Sequence, residues 1–306
     1  LQQRAYLKHR AGFINIIGLP NVGKSTLLNA FLGMKTAIQS PKPQTTRHRL
    51  KAMINGEDYQ LIFSDTPGWI ENPSYRMQTD MNQFVKLAFE DADLLLFIIT
   101  AFDKEPEKHS MLHLIQNNKQ SYPILLVVNK VDLVDNELLD QLEKAWEKVY
   151  PFENILKISA LNNKGIDGLM EEVMKHIPEH PPYFSKEEWT DRSERFFTSE
   201  LIREKILELY HQEIPYSVEV QIESFKRGES KKGPIIRITA NVFVDRKTQK
   251  GILIGKNGEM IKKLGTASRK SLESFFDENV FLEIFVKHRK GWRDDEQWLK
   301  NFGYEH

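Results

Sequence analysis

The chain has 306 residues, more than one typical domain and fewer than three, so two compact units are expected, each able to bury a core. Its 43 Lys and Arg balance 43 Asp and Glu, which excludes a global attraction to nucleic acid or to acidic substrates and leaves only local charge as a signal. The lack of cysteine excludes disulfides, thiol catalysis and thiolate-bound zinc. Apolar runs such as LLLFII at 94–99 stop far short of the about 20 residues that cross a bilayer, so a soluble protein is expected.

From residue 13 to about 177, short apolar runs of strand length alternate with amphipathic stretches. FINII, LIFSD, LLLFIIT, ILLVVN and ILKIS read as strands buried on both faces, which predicts a doubly wound α/β domain with a mostly parallel sheet. Asn55-Gly56 falls between two strand patterns in LKAMINGEDYQLIF, a hairpin signal, so one strand should run antiparallel. Residues 178–190, PEHPPYFSKEEWT, have three prolines and no period; this reads as a linker and sets the domains at 1–180 and 181–306. Beyond it, Phe197, Leu201, Ile202, Ile206 and Leu209 repeat at helical spacing, and YSVEVQIESF and PIIRITANVFVD read as strands. Helical spacing resumes around a glycine pair in TQKGILIGKNGEMIKKLGTASRKSLESFF, and VFLEIFVK closes as a strand. The order α-β-β-α-α-β describes a small α+β domain.

Gly18, Gly23, Lys24 and Ser25 satisfy the pattern G-x-x-x-x-G-K-[ST] between a strand and a helix. Glycines there let backbone N–H groups face phosphates, Lys24 reaches the β and γ phosphates, and Ser25 offers its hydroxyl to Mg²⁺. The stretch Asn21, Val22, Gly23, Lys24, Ser25, Thr26 is therefore the expected phosphate cradle. A base reader must lie downstream. In NKVD, the Asp132 carboxylate can accept from guanine N1–H and its exocyclic amine, a donor pair adenine lacks, with Asn129 and Lys130 shaping the pocket floor. DTPG at 65–68 supplies Asp65, holding Mg²⁺ through water, and Gly68, whose N–H can meet a γ-phosphate. Ser159, Ala160 and Leu161 end a further strand in a loop suited to the base, and Thr45 or Thr46 in SPKPQTTRHR could complete the Mg²⁺ shell, with Thr46 the expected ligand.

These five motifs in this order, with PQTTRHR, DTPG and NKVD as written, resemble the Era-like GTPases of the translation-factor-like class. The resemblance implies GTP or GDP as ligand, hydrolysis assisted by Lys24, Thr46 and Gly68, and a K⁺ ion placed by Asn21 beside the phosphates. Where Ras-like proteins carry a water-orienting glutamine this chain has Trp69, whose indole has one donor and no acceptor, so slow intrinsic turnover is expected. Bound γ-phosphate and Mg²⁺ would order residues 40–50 and 66–80.

In the second half, GKNG places Gly255, Lys256, Asn257 and Gly258 between two helix patterns, and from Lys226 to Lys263 the chain has 11 Lys or Arg against 3 Asp or Glu. Backbone brought close to phosphates beside lysines is how a KH domain clamps about four nucleotides of single-stranded RNA, and the element order is that of the type II KH fold. Ile252 and Ile254, with Leu253, could offer an apolar groove for bases, and Lys256, Lys262 and Lys263 would face the sugar-phosphate side. DRSERF, EIPYSV and GWRDDE extend the same resemblance through the C-terminal half. It implies binding near the 3′ end of small-subunit ribosomal RNA and a part in assembling the 30S subunit. It further implies a cytoplasmic monomer, and allows peripheral contact with the inner membrane face.

Three other readings stand beside this one: a P-loop kinase, an RNA-binding protein whose nucleotide site is structural, and another Era-like RNA-processing GTPase. His109 and His113, at i, i+4 on a helix read as polar, are the nearest approach to metal-ligand spacing among the nine histidines.

Overall fold

The computed structural model describes residues 9–118, 121–231 and 233–304. Lys232, one of the eleven cations counted above, lies outside them. Of the described residues, the first compact unit takes 9–73 and 78–191, and the second takes 74–77 and everything from Arg192 on.

In the first unit six strands form one sheet in the order β2-β3-β1-β4-β5-β6. These are β1 (Arg10–Gly18), β2 (Leu50–Asn55), β3 (Tyr59–Asp65), β4 (Leu94–Thr100), β5 (Ile124–Asn129) and β6 (Asn154–Lys157). β1 pairs parallel with β3 and β4, β4 with β5, and β5 with β6; β2 alone is antiparallel, joined to β3 across Asn55-Gly56. All six residues of β5 are buried, as are six of the seven in β4, because helices cover both faces of the sheet. The helices are α1 (Lys24–Leu32), α2 (Arg76–Glu90), α3 (Ser110–Asn117), α4 (Asn136–Glu147) and α5 (Ile166–His176). Each parallel strand delivers its C-terminal end, and the loop after it, to the same edge of the sheet, where open α/β sheets bind ligands.

The proline-rich stretch belongs to this unit, so the boundary read near 180 is corrected to 191/192. Prolines report a lack of helix or ladder, and they do not report detachment. Met53 N–H donates to Trp189 O at 2.9 Å and Ala52 bridges Thr190, so the segment covers β2, the outer strand of the sheet.

The second unit has a three-stranded sheet, β7 (Val218–Ser230), β8 (Gly233–Val244) and β9 (Asn279–His288), antiparallel between β7 and β8 and parallel between β8 and β9. One face packs on α6 (Glu194–Leu209), α7 (Lys247–Ile254) and α8 (Glu259–Phe276), burying Ile206, Ile236, Val242, Leu253, Leu264 and Leu272. A last helix, α9 (Glu296–Asn301), sets Trp298 and Phe302 on Phe243 of β8, and Tyr304 Oη donates to Glu219 Oε2 at 2.8 Å, so the C-terminal segment packs within this unit. Among the described residues no helix is long and apolar enough to cross a membrane.

A polar node holds the start of β2. Arg49 Nη2 donates to Asp91 Oδ1 at 2.6 Å and to Asn15 Oδ1 at 3.0 Å, Asn15 Nδ2 reaches the same Asp91 oxygen at 2.7 Å, and Lys51 Nζ lies 3.4 Å from Asp91 Oδ2. Burial pushes the Asp91 carboxyl up, but Arg49, Asn15 and Lys51 outweigh it and hold the group below the usual carboxylate range. A depressed native value means stabilisation that is complete above the unfolded pKa of about 3.9 and lost as pH falls through the native one. The Asp91 side chain is 37 % exposed, which screens the pair. Asp91→Asn should therefore cost about 1–2 kcal/mol at pH 7, with the difference from wild type shrinking at pH 3, read as urea midpoints at the two pH values.

Candidate functional site

The loop between β1 and α1 turns through Asn21, with φ 64°, and Gly23, with φ 104°, to aim its N–H groups along the start of α1. Only glycine fits at 23: besides the backbone conformation, an added Cβ would stand 2.2 Å from Asn129 Nδ2. Lys24 is buried, its Nζ donating to Leu19 O at 2.8 Å and Gly18 O at 3.1 Å. Burial lowers its pKa to about 8, against the pull of Asp65. A lysine so desolvated gains from an anionic phosphate far more than an exposed one does.

Three motifs distant in sequence meet at Ser25. Its Oγ donates to Asp65 Oδ2 at 2.6 Å and lies 2.8 Å from Thr46 Oγ1, which in turn is 3.3 Å from the same carboxylate oxygen. The Thr45 hydroxyl donates to Lys42 O at 2.6 Å, so geometry separates the two threonines that sequence left together. Asp65 Oδ1 is buried without a hydrogen-bond partner, and burial raises the carboxyl despite Ser25, Lys24 and Thr46. An orphaned carboxylate oxygen flanked by two hydroxyls is the donor set of a hard divalent cation, and it fits Mg²⁺ held by Ser25, Thr46 and, through water, Asp65. Gly68 packs so closely on the cradle that a Cβ would come 2.6 Å from Pro20 Cα, so only glycine brings the backbone this near.

The part of the site where the base is expected is built by β5 and the loop after β6. Asn129 Nδ2 donates to Val22 O at 2.8 Å while its Oδ1 accepts Ala160 N–H at 3.0 Å, so one buried amide ties the cradle to the Ser159–Ala160 turn. Lys130 has φ 64° and donates from Nζ to Asn21 O at 2.7 Å. Asp132 is exposed on the rim, and the apolar side chains of Leu133 and Leu161, 60 % and 78 % exposed, flank it. The whole encloses a cavity of about 550 Å³ lined by Lys24, Ser25, Thr26, Thr46, Gly68, Asn129, Lys130, Asp132, Ser159 and Leu161, all read as site residues from sequence. Residues 38–41, Gln44 and Leu133 line it too, without a sequence signal beyond their place between motifs. Trp69 lines a neighbouring cleft with Leu19, Phe102 and His109, and its indole packs on the hydrophobic core of the sheet.

His109 and His113 do not share a polar face. His109 is buried at the start of α3 with its ring edge-on to Phe97 and Trp146, and His113 Nε2 lies 2.8 Å from Glu107 O. Among the described residues no group of three or more His, Asp or Glu is arranged for a metal.

In the second unit α7 and α8 flank the GKNG turn, where Gly255, Asn257 and Gly258 have φ of 74°, 51° and 78°. Lys256, Asn257, Lys262 and Lys263 are exposed around it. Ile252 is 49 % exposed, Ile254 is partly buried and Leu253 is fully buried, so the apolar triplet divides into one core residue and two at the surface. Tyr210 Oη donates to Leu253 O at 2.9 Å and so holds the end of α7 that presents the turn, a role with no motif to announce it. Arg227, by contrast, is held by Glu194 and Glu278, which removes one cation from the local excess.

A phosphate cradle, a Mg²⁺ donor set and a carboxylate-bearing base loop on a parallel sheet, followed by a helix–GxxG–helix on a three-stranded sheet, define a P-loop GTPase joined to a KH domain. Residues 13–130 match the 50S ribosome-binding GTPase family and residues 213–293 the KH domain family. The chain is 42% identical over 300 residues to GTPase Era of Thermoanaerobacter sp. strain X514, covering 97% of each chain. It is 45% identical over 297 residues to GTPase Era of Syntrophus aciditrophicus, covering 96% of this chain and 95% of that one. Among solved structures, it resembles Era in complex with MgGDPNP and nucleotides 1506–1542 of 16S ribosomal RNA (TM-score 0.90, 34% identity, 97% of this chain and all of that one). It is equally similar to an Aquifex aeolicus Era variant bound to GDP·AlF4⁻ (TM-score 0.91, 34% identity, the same coverage). The chain belongs to the GTPase Era family and is a GTP hydrolase, which removes the kinase reading.

Guanine selection by Asp132 has a direct test. Inosine lacks the exocyclic amine, so GDP should bind about 10–100-fold more tightly than IDP, the worth of one hydrogen bond to a charged group. Asp132→Ala should weaken GDP and bring the ratio within about threefold, measured by competition titration.

Proposed function

We propose that this protein is a cytoplasmic GTP-driven switch whose KH domain binds single-stranded RNA at the 3′ end of small-subunit ribosomal RNA during assembly of the 30S subunit. The observation that carries the switch is the meeting of Ser25, Thr46 and Asp65 within 3.3 Å of one another, on three segments of which one, residues 40–50, has no strand or helix of its own before β2. When bound, Mg²⁺ neutralises charge on the β and γ phosphates. Lys24 adds a second positive charge, Thr46 and the Gly68 N–H respond to the γ-phosphate, and Asn129, Lys130 and Asp132 hold the base. Loss of the γ-phosphate releases Thr46 and Gly68 together. The RNA reading rests on the exposed lysines and Ile252 around the GKNG turn, and on the 16S RNA fragment bound by the Era relative.

Water orientation falls to the cradle and to backbone groups, since Trp69 faces the neighbouring cleft. A K⁺ ion beside the phosphates is part of this proposal. Asn21 Nδ2 donates to Pro41 O at 2.9 Å, which anchors the side chain at the cradle, and the other atom of that amide, Oδ1, is the kind of donor such an ion requires. Replacing Na⁺ by K⁺ at constant ionic strength should raise multiple-turnover phosphate release about tenfold in wild type and about twofold or less in Asn21→Ala; an unchanged wild-type rate would remove the ion from the mechanism.

For RNA, anisotropy of a labelled strand matching the 3′ end of small-subunit ribosomal RNA is expected to give at least about tenfold tighter binding than a scrambled strand, and tighter binding with a GTP analogue than with GDP. Equal binding of both strands would sink the ribosomal reading.

A further inference from the structure

The chain leaving the first unit is anchored along the strand that continues the γ-phosphate-sensing segment. In an antiparallel outer strand every second residue turns its N–H and C=O away from the partner strand, and in β2 Lys51 and Met53 are two of these. Both are taken by the chain just before the second unit. Met53 N–H donates to Trp189 O at 2.9 Å. Lys51 is gripped on both sides: its N–H donates to Asp191 Oδ1 at 3.0 Å, and its carbonyl accepts from Thr190 Oγ1 at 2.9 Å and Asp191 N–H at 3.3 Å. Two residues later Ser193 caps α6, its side chain accepting from Phe196 N–H.

The stretch between Thr46 and Lys51 has no slack. Arg47, His48, Arg49 and Leu50 are all at least nine-tenths buried, and Asp91 binds both Arg49 and Lys51. A displacement of Thr46 must therefore be absorbed by the buried node or passed to Lys51, whose outward groups are those that Thr190 and Asp191 hold.

We infer that Thr190 and Asp191 are positioning residues that carry the state of Thr46 to the beginning of α6 through the backbone of Lys51. The inference rests on the switch reading above and supplies its route. With the γ-phosphate bound, Thr46 is held and the Lys51 clamp is closed; after hydrolysis the clamp opens more often, and the chain entering α6 is freed.

Hydrogen–deuterium exchange on the full chain tests this, comparing a GTP analogue with Mg²⁺ against GDP in wild type, Asp191→Ala, Asp191→Asn and Thr190→Val. In wild type, amides at 51–53 and 189–197 should exchange at least about threefold more slowly in the GTP-like state. Asp191→Ala and Thr190→Val should abolish that difference while leaving the nucleotide Kd within about twofold, which reports an intact cradle. Asp191→Asn keeps an oxygen acceptor at the same place and should retain the difference. Equal exchange in both wild-type states, or a difference that survives Asp191→Ala, overturns the inference. RNA anisotropy on the same proteins separates it from the reading it rests on: nucleotide-dependent exchange that needs Asp191, alongside equal RNA affinity in both wild-type states, leaves the clamp standing and overturns switched RNA binding.

Discussion

A buried carboxylate that cannot satisfy itself governs this structure. Asp65 sits at the end of a strand buried from Gln60 onward, with one oxygen shared by Ser25 and Thr46 and the other without a donor. Such a group is costly unless a cation joins it. The parallel sheet brings Asp65 to the same edge as the cradle, Lys24 sits where its charge offsets part of the cost, and a stretch without regular structure lets Thr46 approach or leave. In the switch proposed above, loss of the γ-phosphate acts on the Thr46 contact of this set, which would turn an electrostatic need into a signal.

The rigid parts of the molecule were readable because short-range rules determine them. Buried strands, the Asn55-Gly56 hairpin, the cradle glycines and the base loop each carry a local signal, and tertiary structure brings the cradle and the base loop to one cavity as their order implies. What sequence alone could not resolve depends on partners far away in the chain. Thr45 and Thr46 are chemically equivalent until Lys42 O claims one of them. Ile252, Leu253 and Ile254 look alike until helix packing buries only the middle one. His109 reads as a polar helix residue until Phe97 and Trp146 close around it.

The misplaced boundary has the same origin. Prolines and the loss of periodicity mark residues 178–190 as irregular, and irregular chain is ordinarily read as spacer. Here the irregular stretch is a mould for β2: its carbonyls and side chains pair with groups that the outer strand turns away from β3, and it leads into Asp191, which holds the Lys51 backbone. The same division of labour appears in the second unit, where the motif names the GKNG turn but Tyr210, from another helix, fixes its entrance.

The tryptophans give the molecule its own optical reporters. Trp146 and Trp292 are fully enclosed and would emit as constant background. Trp69 directly follows Gly68 and Trp189 lies in the covering of β2, 37 % exposed, so each stands beside a segment expected to move with the nucleotide. A protein in which indoles occupy the loop after Gly68 and the exit chain while the remaining rings are packed in aromatic clusters would reveal such a movement through its own fluorescence, with no dye attached.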